Sequence, residues 1–538
     1  MKRLIITAVS LILAAALSAC SAIDTARTNI DKIISSINGQ DEQETVAAEE
    51  TVNTEEVIEQ SNIFNIGLVD IDTWNPLLTK SSTVREAMEL VYDTLFEVNA
   101  RNESVPVLAK DYSISPDGKT IVVNLKPDVL WHDGGHFDSY DVVYTVNLIM
   151  GGNTAYGDLL RDVASCERVG TESVRFNLRR SVPDFPAVLT FPIIKYRTSV
   201  DYNANTAPVG TGPFSFYGKI STDKYLLIKY GSYHNGAAAI DAVNMIEVPD
   251  KEKYRLMFEA SELDIVTDSM VDIINGMPKG NINVTGYTTN KMTFLGYNTA
   301  SPKLSGAPTR RGISMLIDRD EIVSSVLYSK GKAVLTPINP SSYLYYDTTE
   351  RFGIDYEEAY TEFEGDGWQS QEFGFTRTVN GRELELAVKL LVNSDDPIKV
   401  NTAEKIRETL ERFGVAVKLD MHRGEQYQAK LNAHDFDLFL GEIKLDPNND
   451  LTSLTDAWNY FSYSNPDVNT IIAQSGMTAD VFSRQQLFIQ LCEKLKADMP
   501  FTPIYFADGC VISGSKIKSG IEPTISSDYR VANLWRIR

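Results

Sequence analysis

Histidine and cysteine are both scarce in this chain. Its 538 residues contain only 5 histidines and 4 cysteines. No two cysteines form a Cys-x-x-Cys pair, and the histidines lack the spacing of metal ligands, so we expect neither a metal site nor a cofactor. Cys166, Cys492 and Cys510 allow one disulfide and leave one thiol over. The scattered histidines are His132, His136, His234, His422 and His434.

Positive charge is also in short supply. The sequence has 51 lysines and arginines against 73 acidic residues, for a formal net charge of −22. A nucleic-acid partner needs a basic face to meet the phosphates, so this class of partner is not expected. The negative charge does not identify a ligand, because acidic surfaces are commonly just solvated.

The usual catalytic and nucleotide-binding motifs are absent as well. The sequence contains no Gly-x-Ser-x-Gly, no His-Glu-x-x-His and no P-loop. Gly210-Thr211-Gly212 lacks the third glycine of a dinucleotide loop and runs into Pro213. We therefore expect no enzyme; a secreted hydrolase stays a remote alternative, since carboxylates are plentiful although no pair stands out.

No apolar run is long enough to cross a bilayer. The longest, Leu4 to Leu17, follows Lys2-Arg3 and has the length of a signal-peptide core. Leu17-Ser18-Ala19-Cys20 resembles a bacterial lipobox, in which the cysteine becomes the lipidated first residue. We predict a lipoprotein signal peptide over residues 1–19 and a membrane anchor at Cys20. The alternative is an ordinary secretory signal cut nearby.

Residues 20–61 are predicted to be a disordered tether. Residues 41–59 hold eight acids among threonine, alanine, glutamine and asparagine. Such a segment cannot bury enough apolar surface to offset the entropy lost on ordering, and its charges repel one another.

A compact α/β unit is predicted from Ala109 to Met150. Ser115 to Gly118 reads as a turn, and Thr120 to Leu125 is a strand rich in β-branched residues. Ser139 is predicted to cap a helix with Asp141 in its first turn. Earlier, Thr83-Val84-Arg85-Glu86 is predicted to open another helix as a capping box.

Within this unit about ten residues closely resemble the signature of the family 5 extracellular solute-binding proteins, the large receptors of peptide, nickel and related ABC importers. Further matches are Pro208 to Phe216, whose small residues let backbone segments approach closely, and the block from Met292 to Asn298 followed by Arg310 to Ile313. The closing strand around Tyr505 also fits. The signature residues are Ala109, Asp117, Thr120, Leu125, Lys126, Asp128, Trp131, Asp133 and Gly134.

The resemblance implies an α/β, two-lobed, periplasmic-binding-protein-like (class II) fold with an extra domain in the first lobe. Lobe I would comprise residues 62–97, 196–298 and 500–538, and lobe II residues 299–499. The extra domain would span residues 98–195. A ligand would bind in the cleft, and closure of the lobes would bury it.

The resemblance also implies where ligand contacts lie, and four of the positions have a packing alternative. Trp74, Tyr297, Asn298 and Tyr505 could equally serve the core. The predicted ligand-binding residues are Asp70, Asp72, Trp74, Asn75, Tyr297, Asn298, Glu442, Lys444, Asp446 and Tyr505.

One departure from the family pattern leaves the ligand open. Peptide receptors have Gly-Trp followed by Asp-Tyr before Asp-Pro, and the first aspartate pairs with the peptide's α-ammonium. Here Gly441 is followed by Glu442, Ile443 stands four residues before Pro447, and Lys444 has the wrong sign for an ammonium.

Peptide is still the favoured solute, and the resemblance implies a monomer that hands it to the transmembrane subunits of an ABC permease on the outer face of the cell membrane or in a periplasm. A lipoprotein that senses a solute or peptide signal without a permease is the alternative.

Overall fold

The computed structural model describes residues 62–198, 207–267, 278–346, 353–455 and 460–537. The predicted signal peptide, Cys20 and the predicted tether up to residue 61 lie outside the described residues. The elements up to residue 266 are β1 (Ile63–Leu68), α1 (Ser82–Met88), β2 (Phe96–Val98), β3 (Ser104–Pro106), β4 (Ala109–Ile114), β5 (Thr120–Leu125), α2 (Ser139–Met150), β6 (Val163–Arg168), β7 (Ser173–Leu178), β8 (Phe214–Lys219), β9 (Lys224–Lys229), β10 (Ala242–Glu247), α3 (Lys251–Glu259) and β11 (Ile265–Val266). The later elements are β12 (Ile282–Tyr297), α4 (Ala307–Met315), α5 (Arg319–Ser325), β13 (Gly331–Ala333), α6 (Tyr356–Gly365), β14 (Gln369–Gln371), β15 (Gly374–Val379), β16 (Arg382–Glu385), β17 (Ala387–Asn393), α7 (Pro397–Phe413), β18 (Ala416–His422), α8 (Gly424–Asn432), β19 (Leu438–Lys444), α9 (Thr452–Thr455), α10 (Pro466–Met477), α11 (Val481–Asp498), β20 (Phe501–Gly514), β21 (Ile517–Ser519) and β22 (Arg536–Ile537).

The first lobe is built on a four-stranded sheet in the order β1-β10-β9-β8, in which β1 runs parallel to β10 and the other pairs are antiparallel. An extra domain follows, with the antiparallel sheet β4-β5-β7-β6 and helix α2 against it. One hydrophobic core runs under both parts and contains Phe64 of β1 and Trp131 beside α2, each fully buried. This shared core attaches the extra domain to lobe I.

The second lobe holds most of a seven-stranded sheet. Its main path is β11-β20-β12-β19-β17-β18, and β17 and β18 are parallel partners joined by α7, as a βαβ crossover requires. Helix α7 begins after the N-cap Asp396 and ends at Gly414, which adopts a left-handed φ of 104°. Two separate cores lie on the faces of this sheet.

Two long strands connect the lobes. β12 pairs antiparallel with β20, starting at Ile282 beside β11 and ending at Tyr297 in lobe II. Their register is interrupted between Thr288 and Met292. There the buried Asn339 side chain donates to the carbonyl oxygens of Thr288 and Thr289 at 3.2 and 3.0 Å. The chain therefore crosses between the lobes through two adjacent strands whose pairing breaks midway.

Two predicted helix caps were wrong by one or two residues. α1 begins after Ser81, whose hydroxyl accepts from the amide of Val84 at 3.4 Å. The Thr83 hydroxyl instead accepts from the amide of Val69, just after β1, at 2.8 Å. It is therefore not the group that caps α1. α2 begins after Asp138, which forms a capping box with Asp141, because a carboxylate one residue earlier takes the role predicted for Ser139.

All three cysteines in the described ranges, Cys166, Cys492 and Cys510, are buried and free. None of the helices in those ranges combines the length and apolar character needed to cross a bilayer.

Candidate functional site

A cavity of about 820 Å³ lies between the two lobes. Lobe I contributes α1, the segment after it and the C-terminal residues 525–534. The extra domain contributes Tyr156 and Arg161, and lobe II contributes Ile443 to Pro447. Asn290, at the interrupted register of β12, also lines the cavity and donates to the carbonyl oxygen of Leu445 at 3.3 Å. The cavity is therefore bounded by both lobes and by the strands that join them.

The lobe I wall carries a cation and three carboxylates at intervals of four residues. Arg85, Glu89, Asp93 and Glu97 all line the cavity. Glu89 accepts from the hydroxyl of Ser527 at 2.7 Å and from the amide of Tyr529 at 3.1 Å. Burial raises the pKa of Glu89 well above its usual value, and the nearby charge of Asp528 adds to this.

The other two carboxylates are held by fixed partners. Asp93 accepts from Thr211 and Tyr233, both at 3.0 Å, and lies 2.9 Å from Nε2 of His234. Glu97 pairs with Arg530 at 2.9 Å. These hydrogen bonds and this ion pair fix the positions of the two carboxylates on the cavity wall.

The lobe II wall carries Lys444 and Asp446 at the end of β19. Asp446 pairs with Arg161 of the extra domain. No ion pair or hydrogen bond joins the ammonium of Lys444 to another described residue within 4.0 Å. Partial burial lowers the pKa of Lys444, and the positive charges of Lys291 and Arg85 lower it further.

The extra domain meets lobe II through a row of ion pairs beside the cavity. Arg180 pairs with Asp450, whose side chain is only 1% exposed, and donates to Asp162 at 2.7 Å. Further along, Arg484 of α11 lies 3.6 Å from Asp184, and both side chains are 3% exposed. These contacts hold the two parts together on one side of the cleft.

The four residues predicted after β1 lie apart from this cavity. Asp70 and Asp72 line a second cavity of about 640 Å³ near the start of α3. Asp72 stabilises its own loop, because its carboxylate accepts from the amides of Thr73 and Lys80 at 2.8 Å each. Trp74 is 4% exposed and its ring lies 4.8 Å from that of Tyr225. The Asn75 side chain accepts from the amide of Leu77 at 3.0 Å, within a turn.

Most of the residues predicted on or beside β12, β19 and β20 also fall outside the cavity lining. The Tyr297 ring is fully buried and its hydroxyl contacts the carbonyl oxygen of Arg310 and the hydroxyl of Thr502, at 3.1 and 2.6 Å. Asn298 donates to the carbonyl oxygen of Phe436 at 3.1 Å. Glu442 lies 3.6 Å from the ammonium of Lys399. Tyr505 is 3% exposed and packs in the lobe II core.

The structure thus brings Lys444 and Asp446 together at the cavity and places the other eight predicted residues elsewhere. Arg85, Glu89, Asp93 and Glu97 were not predicted. Only Arg85 lies on α1, which ends at Met88, and Glu97 lies on β2, so helical spacing in the sequence does not account for this wall. The contribution of Ser527 and Tyr529 had no local signal, because it arises from the return of the chain to lobe I.

His132, next to the signature residue Trp131, joins its turn to the segment from Gly210 to Gly212. Its Nε2 lies 3.0 Å from the carbonyl oxygen of Gly212, and its Nδ1 lies 3.3 Å from the amide of Gly210. Within the described ranges, no three His, Cys, Asp or Glu side chains are arranged to hold a metal ion.

Two lobes, a pair of connecting strands and a cavity at their junction define a two-lobed binding-protein fold. The model of the bacterial extracellular solute-binding proteins, family 5 Middle, matches residues 103–465, and the chain belongs to this family of solute-binding proteins.

Among curated relatives, the oligopeptide-binding protein AppA of Bacillus subtilis is 20% identical over 457 residues, covering 80% of this chain and 84% of AppA. The nickel-binding protein NikA of Staphylococcus aureus is 21% identical over 464 residues, covering 84% and 91%. Among solved structures, HbpA2 of Haemophilus parasuis matches with a TM-score of 0.75 at 18% identity, over 89% of this chain and all of that one (100%).

Proposed function

We propose that this protein captures a peptide or a similar small polar solute in the cleft between its lobes and delivers it to the transmembrane subunits of an ABC import permease. The observation that carries the proposal is the cavity of about 820 Å³ with charged walls contributed by both lobes. Ligand sites in proteins commonly enclose about 300–1,000 Å³. The cavity therefore suits a solute of several residues.

The arrangement of charge favours a peptide. Cations (Arg85 and Lys444) and carboxylates (Asp93 and Glu97) line one cavity, and a zwitterion carries both complementary charges. The relatives include both oligopeptide-binding and nickel-binding proteins, so the family alone leaves this choice open.

In this proposal the two lobes close around the solute, and each domain has a distinct part in that movement. Residues 62–97, 196–298 and 500–538 act as lobe I, and its strands β12 and β20 extend into the sheet and core of lobe II. Residues 98–195 act as the extra domain and residues 299–499 as lobe II. A solute that contacts both lobes binds the closed state better than the open one and shifts the population toward it.

Native mass spectrometry of the purified protein tests solute capture. We expect a mass increment that fragments as one or more peptides and disappears after the protein is unfolded and refolded. An increment that corresponds to nickel or haem would contradict the peptide assignment.

Membrane attachment through Cys20 is the second part of the proposal. Two or three acyl chains, at about 0.8 kcal/mol per buried methylene, hold a protein firmly on a bilayer surface. The Cys20→Ser protein is expected to leave the membrane fraction while binding the same solute, as measured by fractionation and native mass spectrometry. Ser18→Ala, two residues away, is a matched control and should stay membrane-bound. Retention of Cys20→Ser in the membrane fraction would show that the anchor lies elsewhere.

A further inference from the structure

Positive charge is concentrated at the point where β12 and β19 reach the cleft. Lys291 and Lys444 are direct cross-strand partners in the antiparallel pair of β12 and β19. Like charges in directly opposed positions destabilise a sheet. The repulsion between Lys291 and Lys444 therefore destabilises the end of β19, and the strand pairing offers no compensating contact for it.

A third cation reaches the same place from the opposite lobe. Arg85 of α1 lines the cavity together with Lys444 and acts on it electrostatically. The Arg85 side chain donates to the carbonyl oxygen of Thr79 at 3.2 Å, and its Nε is buried without a hydrogen-bond partner. An unsatisfied buried guanidinium nitrogen is costly, so the site has donor capacity that no described residue uses.

The neighbouring carboxylates are committed to other partners. Asp446 pairs with Arg161, and Glu89 accepts from Ser527 and Tyr529. Tyr156 of the extra domain also lines the cavity, and no other described residue forms a hydrogen bond with its hydroxyl group. Arg85, Lys444 and the Tyr156 hydroxyl therefore face one space, and Asp446, the carboxylate that acts on Lys444, is already paired with Arg161.

We propose that Arg85 and Lys444, with the Tyr156 hydroxyl, form an anion subsite that holds a carboxylate of the bound solute between the lobes. This inference rests on the proposed function and names the chemistry by which that same cleft recognises its ligand. A guanidinium and an ammonium on opposite walls repel one another when the cleft closes without a ligand. A carboxylate between them attracts both cations, so the net electrostatic interaction across the cleft becomes favourable. The subsite thus couples closure to the presence of an acid.

The carboxylate has two sources in a peptide, the C-terminus and an acidic side chain. The test uses Cys20→Ser protein refolded free of solute and three synthetic tetrapeptide mixtures. The peptides of the first mixture are built only from Ala, Ser, Val and Tyr and have a free C-terminal carboxylate. The second mixture has the same peptides amidated at the C-terminus. The third is also amidated, but each peptide contains one Glu. Affinities are measured by isothermal titration calorimetry for the parent and for Lys444→Gln, Arg85→Gln and the control Lys418→Gln. Lys418 is an exposed lysine on β18.

The parent should bind the free acids about tenfold or more tightly than the neutral amides, and Lys444→Gln and Arg85→Gln should lose this preference. Lys418→Gln should keep it. The charge reversal Lys444→Glu should favour the amides, a result that a merely destabilised protein would not give. If the Glu-containing amides bind as tightly as the free acids or more tightly, while the neutral amides bind weakly, the side-chain carboxylate is the bound group. The subsite then stands.

Equal binding of acids and neutral amides, unchanged in Lys444→Gln, would overturn the subsite and leave peptide capture standing. If no peptide mixture binds, the binding of citrate, a small carboxylic acid that is not a peptide, is measured by the same calorimetry. Citrate binding that is lost in Lys444→Gln would support the subsite and overturn the peptide assignment, and no binding of either probe would overturn both.

Discussion

Asp450 is a charged residue whose burial is tolerated only because of its partners. Its side chain is 1% exposed and meets Arg180 of the extra domain. Burial raises its pKa, but the charge of Arg180 and the hydrogen bonds from Arg180 and Thr452 outweigh this, so the pKa lies below its usual value. An aspartate of this kind stabilises the folded protein above the ordinary aspartate pKa of about 3.9, and the contribution is lost as pH falls through the lowered folded value.

Asp450→Asn is therefore expected to lower the free energy of unfolding near neutral pH by about 2 kcal/mol, the scale of a hydrogen bond to a charged group. The difference from the parent should shrink as the pH falls from about 3.9, the ordinary aspartate pKa, through the lowered folded value. Urea unfolding across that range measures it. Glu385→Gln, at an exposed carboxylate of the same lobe, is the control and should change little. A constant difference at all pH values would show that the ion pair is not the source of the stability.

At the residue scale, sequence reasoning located the end of β19 but not the opposite wall. Lys444 and Asp446 were predicted from their block and do line the cavity. Tyr297 and Tyr505 have the polar tips that suit a wet cleft, yet both are buried in lobe II. Sequence could not separate these cases, because burial of a tyrosine depends on which strand face meets the helices.

At the element scale, close backbone packing fixes the segment that carries the acidic wall. A Cβ on Gly210 would lie 1.8 Å from the carbonyl oxygen of Val91, and one on Gly212 would lie 2.8 Å from it. The amide of Gly212 donates to that same oxygen at 2.9 Å. The prediction that small residues here let backbone segments approach closely is confirmed.

Gly210→Ala should destabilise the protein by at least about 1–3 kcal/mol, the usual cost of forcing extra volume into packed structure. It should also weaken solute binding, because Asp93 lies just beyond Val91. Thermal unfolding and calorimetry measure the two effects. Gly231→Ala is the matched control, since a Cβ there meets nothing within 4 Å. Equal melting temperatures for the two variants would contradict the packing argument.

Element bounds followed from sequence where the local signal was strong. The strand Thr120–Leu125 has the predicted ends, and α7 ends at Gly414 in the left-handed conformation that glycine adopts readily. Caps were less exact, since Ser81 and Asp138 compete with Thr83 and Ser139 within one turn. Which hydroxyl or carboxylate caps depends on tertiary contacts, as the bond between Thr83 and Val69 shows.

At the scale of the whole molecule, the two-lobed α/β fold and a cleft between the lobes followed from family resemblance, while most of the residues that line the cavity did not. Its walls come from α1, the end of β19, the extra domain and residues 525–534. These segments are far apart in sequence, and the paired strands β12 and β20 connect the two lobes that carry them.

Small-angle scattering tests most directly whether a solute is held between two closing lobes. The Cys20→Ser protein, freed of solute by unfolding and refolding, would be measured alone and with the peptide that native mass spectrometry identifies. We predict a smaller radius of gyration at saturating peptide, because ligand contacts from both lobes favour the closed state. An unchanged radius, with binding confirmed by calorimetry on the same sample, would contradict the account.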